Sequence, residues 1–194
     1  ILAKDKDAFV GNQVHEGEIE MDVFPDYVAN FLMCALGSVS SAQKGGETVV
    51  YEHTITEGET KPSLTIEQVI GENIRRYAGA IPTGFKLSVK TGETATISFP
   101  IKAKSQASAS AISASYTTPR PFNFKDAAFK IGGSTLTEVS SLELEYTNNL
   151  EMLHTLSGSN DPALNYVKGS ELTGKIECFL DSTSLSELTA YLAK

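Results

Sequence analysis

The sequence predicts a mainly β domain, a β-sandwich or barrel with one flanking α-helix and a short C-terminal helix. Three observations carry that expectation. Several short segments alternate strictly between apolar and polar residues, as half-buried strands require. Turn-forming residues separate them, and only two segments have helical punctuation. Of 194 residues, 41% are hydrophobic and 21% charged, which supports one compact core and argues against wholesale disorder.

Residues 1–15 are polar and aperiodic and read as an arm that needs a partner to become ordered. The boundary with the domain is placed between residues 16 and 17. Residues 17–24 (GEIEMDVF) form a half-buried strand, with Ile19, Met21 and Val23 on one face and Glu18, Glu20 and Asp22 on the other. Pro25 suits the first turn of a helix, Asp26 suits the positive end of its dipole, and Gly37 suits the left-handed position after its last turn. Asp26 and Asn30 are the only polar residues of this helix, so it is expected to be buried on more than one side, partly by another subunit.

Residues 48–57 and 62–70 are expected to pair as a projecting hairpin with Gly58, Glu59, Thr60 and Lys61 at its tip. Residues 85–90 and 94–104 form a second hairpin around Thr91-Gly92. The Ser- and Ala-rich residues 105–115 read as a surface excursion. Residues 136–147 carry Leu142, Leu144 and Tyr146 in alternation with Glu143 and Glu145, and 173–180 form a late strand. Ser184 and Glu187 make a capping box that opens a C-terminal helix with Leu185, Leu188, Tyr191 and Leu192 on one side.

Chemistry-bearing motifs are sparse. His15, His53 and His154 lie far apart, and neither Cys34 nor Cys178 belongs to a paired-ligand spacing, so no metal or other cofactor is expected. Both cysteines sit in apolar settings and are expected to be buried thiols. No nucleophile elbow or phosphate-binding loop is present, and no catalytic activity is expected. With 16 basic against 24 acidic residues and a net charge of -8, the surface is not built to grip nucleic acid. No apolar run approaches the roughly 20 residues that span a bilayer. Neither a signal-peptide pattern nor an Asn-x-Ser/Thr site appears, which favours synthesis in the cytoplasm.

The recurring signal is acidic residues on open strand faces. Neighbours two apart lie roughly 6.5–7 Å from each other, inside the roughly 8 Å screening length, so lining them up costs stability. Solubility and protection of sheet edges explain this simply; an acidic wall past which a polyanion moves without binding is the sharper explanation.

The order of features resembles the tail tube (major tail) proteins of long-tailed bacteriophages. The segments that carry the resemblance are LMCALGS (32–38), YEHTITEGETKPSLTIE (51–67), RRYAGAIPTGFKLSV (75–89), RPFNFKDAAFKIGG (120–133), SSLELEYTNNLE (140–151) and TGKIECFLDSTSL (173–185). The resemblance implies a β-sandwich that assembles as hexameric rings stacked into a tube, with strands of each subunit joining an inner barrel. Genome DNA then passes through the lumen to the host without specific binding. It further implies tape-measure and tail terminator or baseplate proteins as partners, and a place in the virion tail. The inter-ring arms fall on 1–16 and on the hairpin at about 51–67, with 105–121 a third segment. Glu18, Glu20, Glu143 and Glu145 are the lumen-facing residues on this reading. Tyr27, Phe31, Leu32, Glu57, Glu59 and Lys61 are the inter-subunit residues. The inner tube of a contractile injection or secretion system shares the resemblance, and a monomeric β-sandwich binding module is the alternative from another class.

Overall fold

The structure, a computed structural model, describes residues 11–179 except 47, 111, 114, 116–118, 132 and 157. The expected C-terminal helix and most of the N-terminal arm lie outside the described residues. The chain opens with β1 (His15–Asp22), α1 (Pro25–Leu36), β2 (Gly37–Gln43) and β3 (Tyr51–Glu57). Next come β4 (Leu64–Ile70), β5 (Asn73–Pro82), β6 (Gly84–Lys90), β7 (Thr96–Ala103) and β8 (Ser105–Ser108). After a 3-10 turn at Phe124–Asp126 follow β9 (Phe129–Ile131), β10 (Ser134–Leu136), β11 (Val139–Thr147), β12 (Leu150–Leu153), β13 (Leu164–Val167) and β14 (Glu171–Cys178). The protein is mainly β, as the alternation predicts.

One eight-stranded antiparallel sheet dominates. Its polar-faced part runs β1-β7-β6-β11-β14, every neighbour antiparallel. The chain continues from β7 through Lys104 into β8, and β5 follows both, so β4, β5 and β8 extend the sheet around one end. Ile97, Phe99, Ile101 and Ala103 of β7 form the floor of the core; Val28, Phe31 and Leu32 of α1, with Leu64 and Ile66 of β4, pack against it. Phe31 stacks on Phe99 at 5.1 Å between ring centroids. Gly84 has a packing reason: a Cβ there meets the Tyr146 carbonyl oxygen at 2.1 Å, so only glycine lets β6 lie this close to β11.

Helix α1 has the expected ends. Pro25 occupies its first turn, Asp26 follows, and Gly37 adopts φ 108° and donates its N–H to the Met33 carbonyl. It is shielded largely by its own chain: Cys34 and Ala35 are buried, and its other apolar residues are half-buried.

Three expectations need correction. Segments 48–57 and 62–70 do not pair with each other: β3 pairs with β2, and β4 pairs with β5. The reason lies at the supposed tip. Gly58 N–H and Lys61 Nζ both donate to the Leu36 carbonyl, at 2.8 and 2.7 Å, so the segment is tied to the end of α1. The projecting hairpin is therefore β2–β3. Residues 105–108 are a strand, because β5 offers them an open edge at Arg75–Ala78. Cys178 is exposed, since it ends β14, an edge strand exposed along its whole length. Cys34 alone is a buried thiol, and burial pushes its pKa up.

Candidate functional site

The pleat sorts the main sheet into two chemically distinct faces. In β1, β7, β6, β11 and β14 the apolar positions turn to one side, where α1 and β4 cover β1, β7 and β6. The opposite face collects Glu16, Glu18, Glu20 and Asp22 from β1, Glu143 and Glu145 from β11, and Glu171 and Glu177 from β14. Lys102, Lys86, Lys90 and Lys175 are interspersed on it, with Ser and Thr between. All four glutamates singled out from the sequence thus lie on one face. Register connects them: Glu20 stands beside Ser98, Ser98 beside Lys86, Lys86 beside Glu145, while Glu143 lies between Ser88 and Lys175. Partial neutralisation makes this crowding tolerable, with Lys102 3.4 Å from Glu16 and Lys175 2.8 Å from Glu177. These exposed pairs contribute little to stability.

Two sides of this sheet are open. Among the described residues β1 pairs only with β7, and β14 only with β11. The apolar side of β14 is poorly covered, Leu172 being 63% and Ile176 41% exposed. The β2–β3 hairpin is exposed over most of both strands and presents Val39, Val49, Val50 and Tyr51 to solvent. An isolated two-stranded ribbon is marginal in water, so these features describe a protein shaped for contact with other chains.

A family model described as phage tail tube protein matches residues 4–193, almost the entire chain. The chain belongs to the phage tail tube protein family. No curated protein matches it. Membership makes it a structural protein of the virion tail, one that assembles in many copies into a tube with other tail components. Among the described residues of this tail tube protein, no helix is long and apolar enough to cross a membrane, and no cluster of metal-ligating side chains forms.

The structure separates the remaining sequence-selected residues of the tail tube protein. Phe31 and Leu32 pack on the core, and Tyr27 is half-buried with its ring edge-on to Phe24 at 6.1 Å. Glu59 is exposed. Lys61 is only 7% exposed, and its ammonium caps α1 through the Leu36 carbonyl, where the helix dipole favours a cation. Burial pushes the Lys61 pKa down, partly offset by Glu57. Glu57 accepts hydrogen bonds from the hydroxyls of Ser170 and Tyr146, the latter at 3.2 Å, which hold its carboxyl below the usual range. Sequence reasoning missed Asn148, which is fully buried; an Asn-Asn pair after a strand reads as a solvated turn.

Burial, with the Glu57 carboxylate beside it, pushes the Tyr146 hydroxyl up to about 12. An unfolded tyrosine ionises near 10, so this contribution to stability is whole below about pH 10 and is lost as pH rises through about 12. Tyr146→Phe removes that alkaline loss. The stability advantage of the wild type over the variant, read from urea midpoints, is therefore expected to shrink from about pH 9 to about pH 11.5.

Proposed function

We propose that copies of this chain form hexameric rings stacked into the tail tube, the conduit for genome delivery into the host cell. In this reading the carboxylate-rich face of the main sheet lines the lumen, with Glu18, Glu20, Glu143 and Glu145 in its wall. The supporting observation is the sorting of the sheet into one apolar face under α1 and one face with twice as many carboxylates as ammonium groups. A wall poor in unpaired cations offers phosphates few places to dwell, so DNA passes without specific binding. Contacts between rings fall to residues 1–16 and to the β2–β3 hairpin, and Tyr27 and Glu59, near the two ends of α1, contribute to contacts between subunits. Tape-measure and tail terminator or baseplate proteins complete the tail.

Electron microscopy of the purified protein at high concentration tests the assembly: six-fold rings or tubes are expected, and a monomer at every concentration contradicts it. Replacing Glu143 and Glu145, which lie on β11 between two paired neighbours and not on an edge strand, together by Lys tests the wall. Tubes are expected to form as before, while phage carrying the variant eject their genome more slowly; unchanged ejection kinetics place these residues elsewhere.

A further inference from the structure

Among the described residues five strands make up the polar face, and they alternate in direction. An odd number of alternating strands leaves its two outer members, β1 and β14, pointing the same way. We infer that successive copies in a ring join through a parallel pairing of β14 of one copy with β1 of the next. This rests on the ring assembly proposed above and adds the strands and their relative direction.

Symmetry supplies the argument. Rotation about a tube axis preserves the sense of every strand, so the two unlike edges meet in parallel. A two-fold axis instead brings like edges together, β1 on β1 or β14 on β14, antiparallel, and gives a closed dimer with the other edges still open.

Side chains favour the unlike pairing. Adding β1 beside β14 continues both faces of the sheet. On the polar face, Lys175 of β14, which shares that side with Glu171 and Glu177 and pairs with Glu177 in its own copy, is the one cation that the seam brings to Glu18, Glu20 and Asp22 of the neighbouring β1, whose polar side carries none. On the apolar face, the exposed Leu172 and Ile176 meet a cleft of about 280 Å³ that lies along β1 under β4, lined by Ile19, Ile66, Tyr77 and Ile101. Glu67 also lines this cleft, and its buried Oε2 has no hydrogen-bond partner among the described residues. β1 on β1 faces acid with acid, and β14 on β14 leaves both the acidic β1 edge and the cleft beside it unfilled.

Disulfide trapping tests direction and partner together. Cysteines are introduced in pairs, one at Glu18, Glu20 or Asp22 and one at Thr173, Lys175 or Glu177, in a Cys178→Ser background. Within one copy β1 and β14 are separated by about 19 Å across the sheet, too far for a disulfide, so every bond formed is between copies. Variants that form tubes by electron microscopy are oxidised and run without reductant. The expected result is a covalent ladder reaching six copies, in which the reactive β14 position rises in number as the β1 position rises. Tubes whose reactive positions run in opposite order, link only like strands, or fail to link at all overturn the inference and leave the tube reading standing. If neither the unsubstituted nor the Cys178→Ser protein forms tubes, the tube reading fails and this inference falls with it.

Discussion

Phe99→Ala is expected to cost about 3–5 kcal/mol of folding stability, the range for emptying a large aromatic site in a core. Phe99 is 0% exposed, lies on β7 between β1 and β6, and touches the rings of both Phe31 and Phe85. Its removal takes away the surface on which α1 rests, so amide exchange in α1 should accelerate more than in β11. Phe99→Leu keeps most of the volume and is expected to lose far less. Urea unfolding of dilute, unassembled protein measures both, since assembly adds a concentration-dependent term. A loss below about 1 kcal/mol for the alanine variant contradicts the placement of the core.

The strands that carry this core are the ones most legible in the sequence. β1, β6, β7 and β11 each have one face on the core and one in water, and period-two alternation is the direct record of that environment. β2 (GSVSSAQ) and β8 (SQAS) carry no such record, because both faces are exposed or nearly so; they are strands because a neighbouring backbone offers a ladder. The misassigned hairpin has the same origin. Gly58-Glu59-Thr60-Lys61 has turn composition, and nothing local reveals that the Lys61 ammonium is consumed by a carbonyl 25 residues earlier.

The candidate site was legible in halves. Alternation puts Glu18 and Glu20 on one face of their strand, and Glu143 and Glu145 on one face of theirs. That the two faces are the same one depends on β7 and β6 lying between them in a definite register, which is a long-range property. Exposure of Cys178 follows likewise from the position of β14 at an edge, which its own apolar neighbours do not disclose.

Asn148→Ala is the second large expected loss, about 3 kcal/mol, because it strands several buried polar groups at once. The Asn148 Nδ2 donates to the Ala35 carbonyl at 3.2 Å and to the Pro82 carbonyl at 3.0 Å, while its Oδ1 accepts the Leu150 N–H at 3.1 Å. One fully buried amide thus joins the end of α1, the end of β5 and the start of β12. Asn148→Asp separates the loss of donors from the loss of volume. A carboxylate still accepts from Leu150 but meets the two carbonyls with like partial charge, so its pKa rises above the unfolded value of about 3.9. Stability is then whole below about pH 3.9 and is lost as pH rises through the elevated folded value. The aspartate variant is therefore expected to be less stable than the alanine variant at neutral pH and to close that gap on acidification, as the protonated acid regains one donor. Urea midpoints at about pH 4 and pH 7 decide it: a gap that does not change with pH means the side chain at 148 does not face those carbonyls in solution.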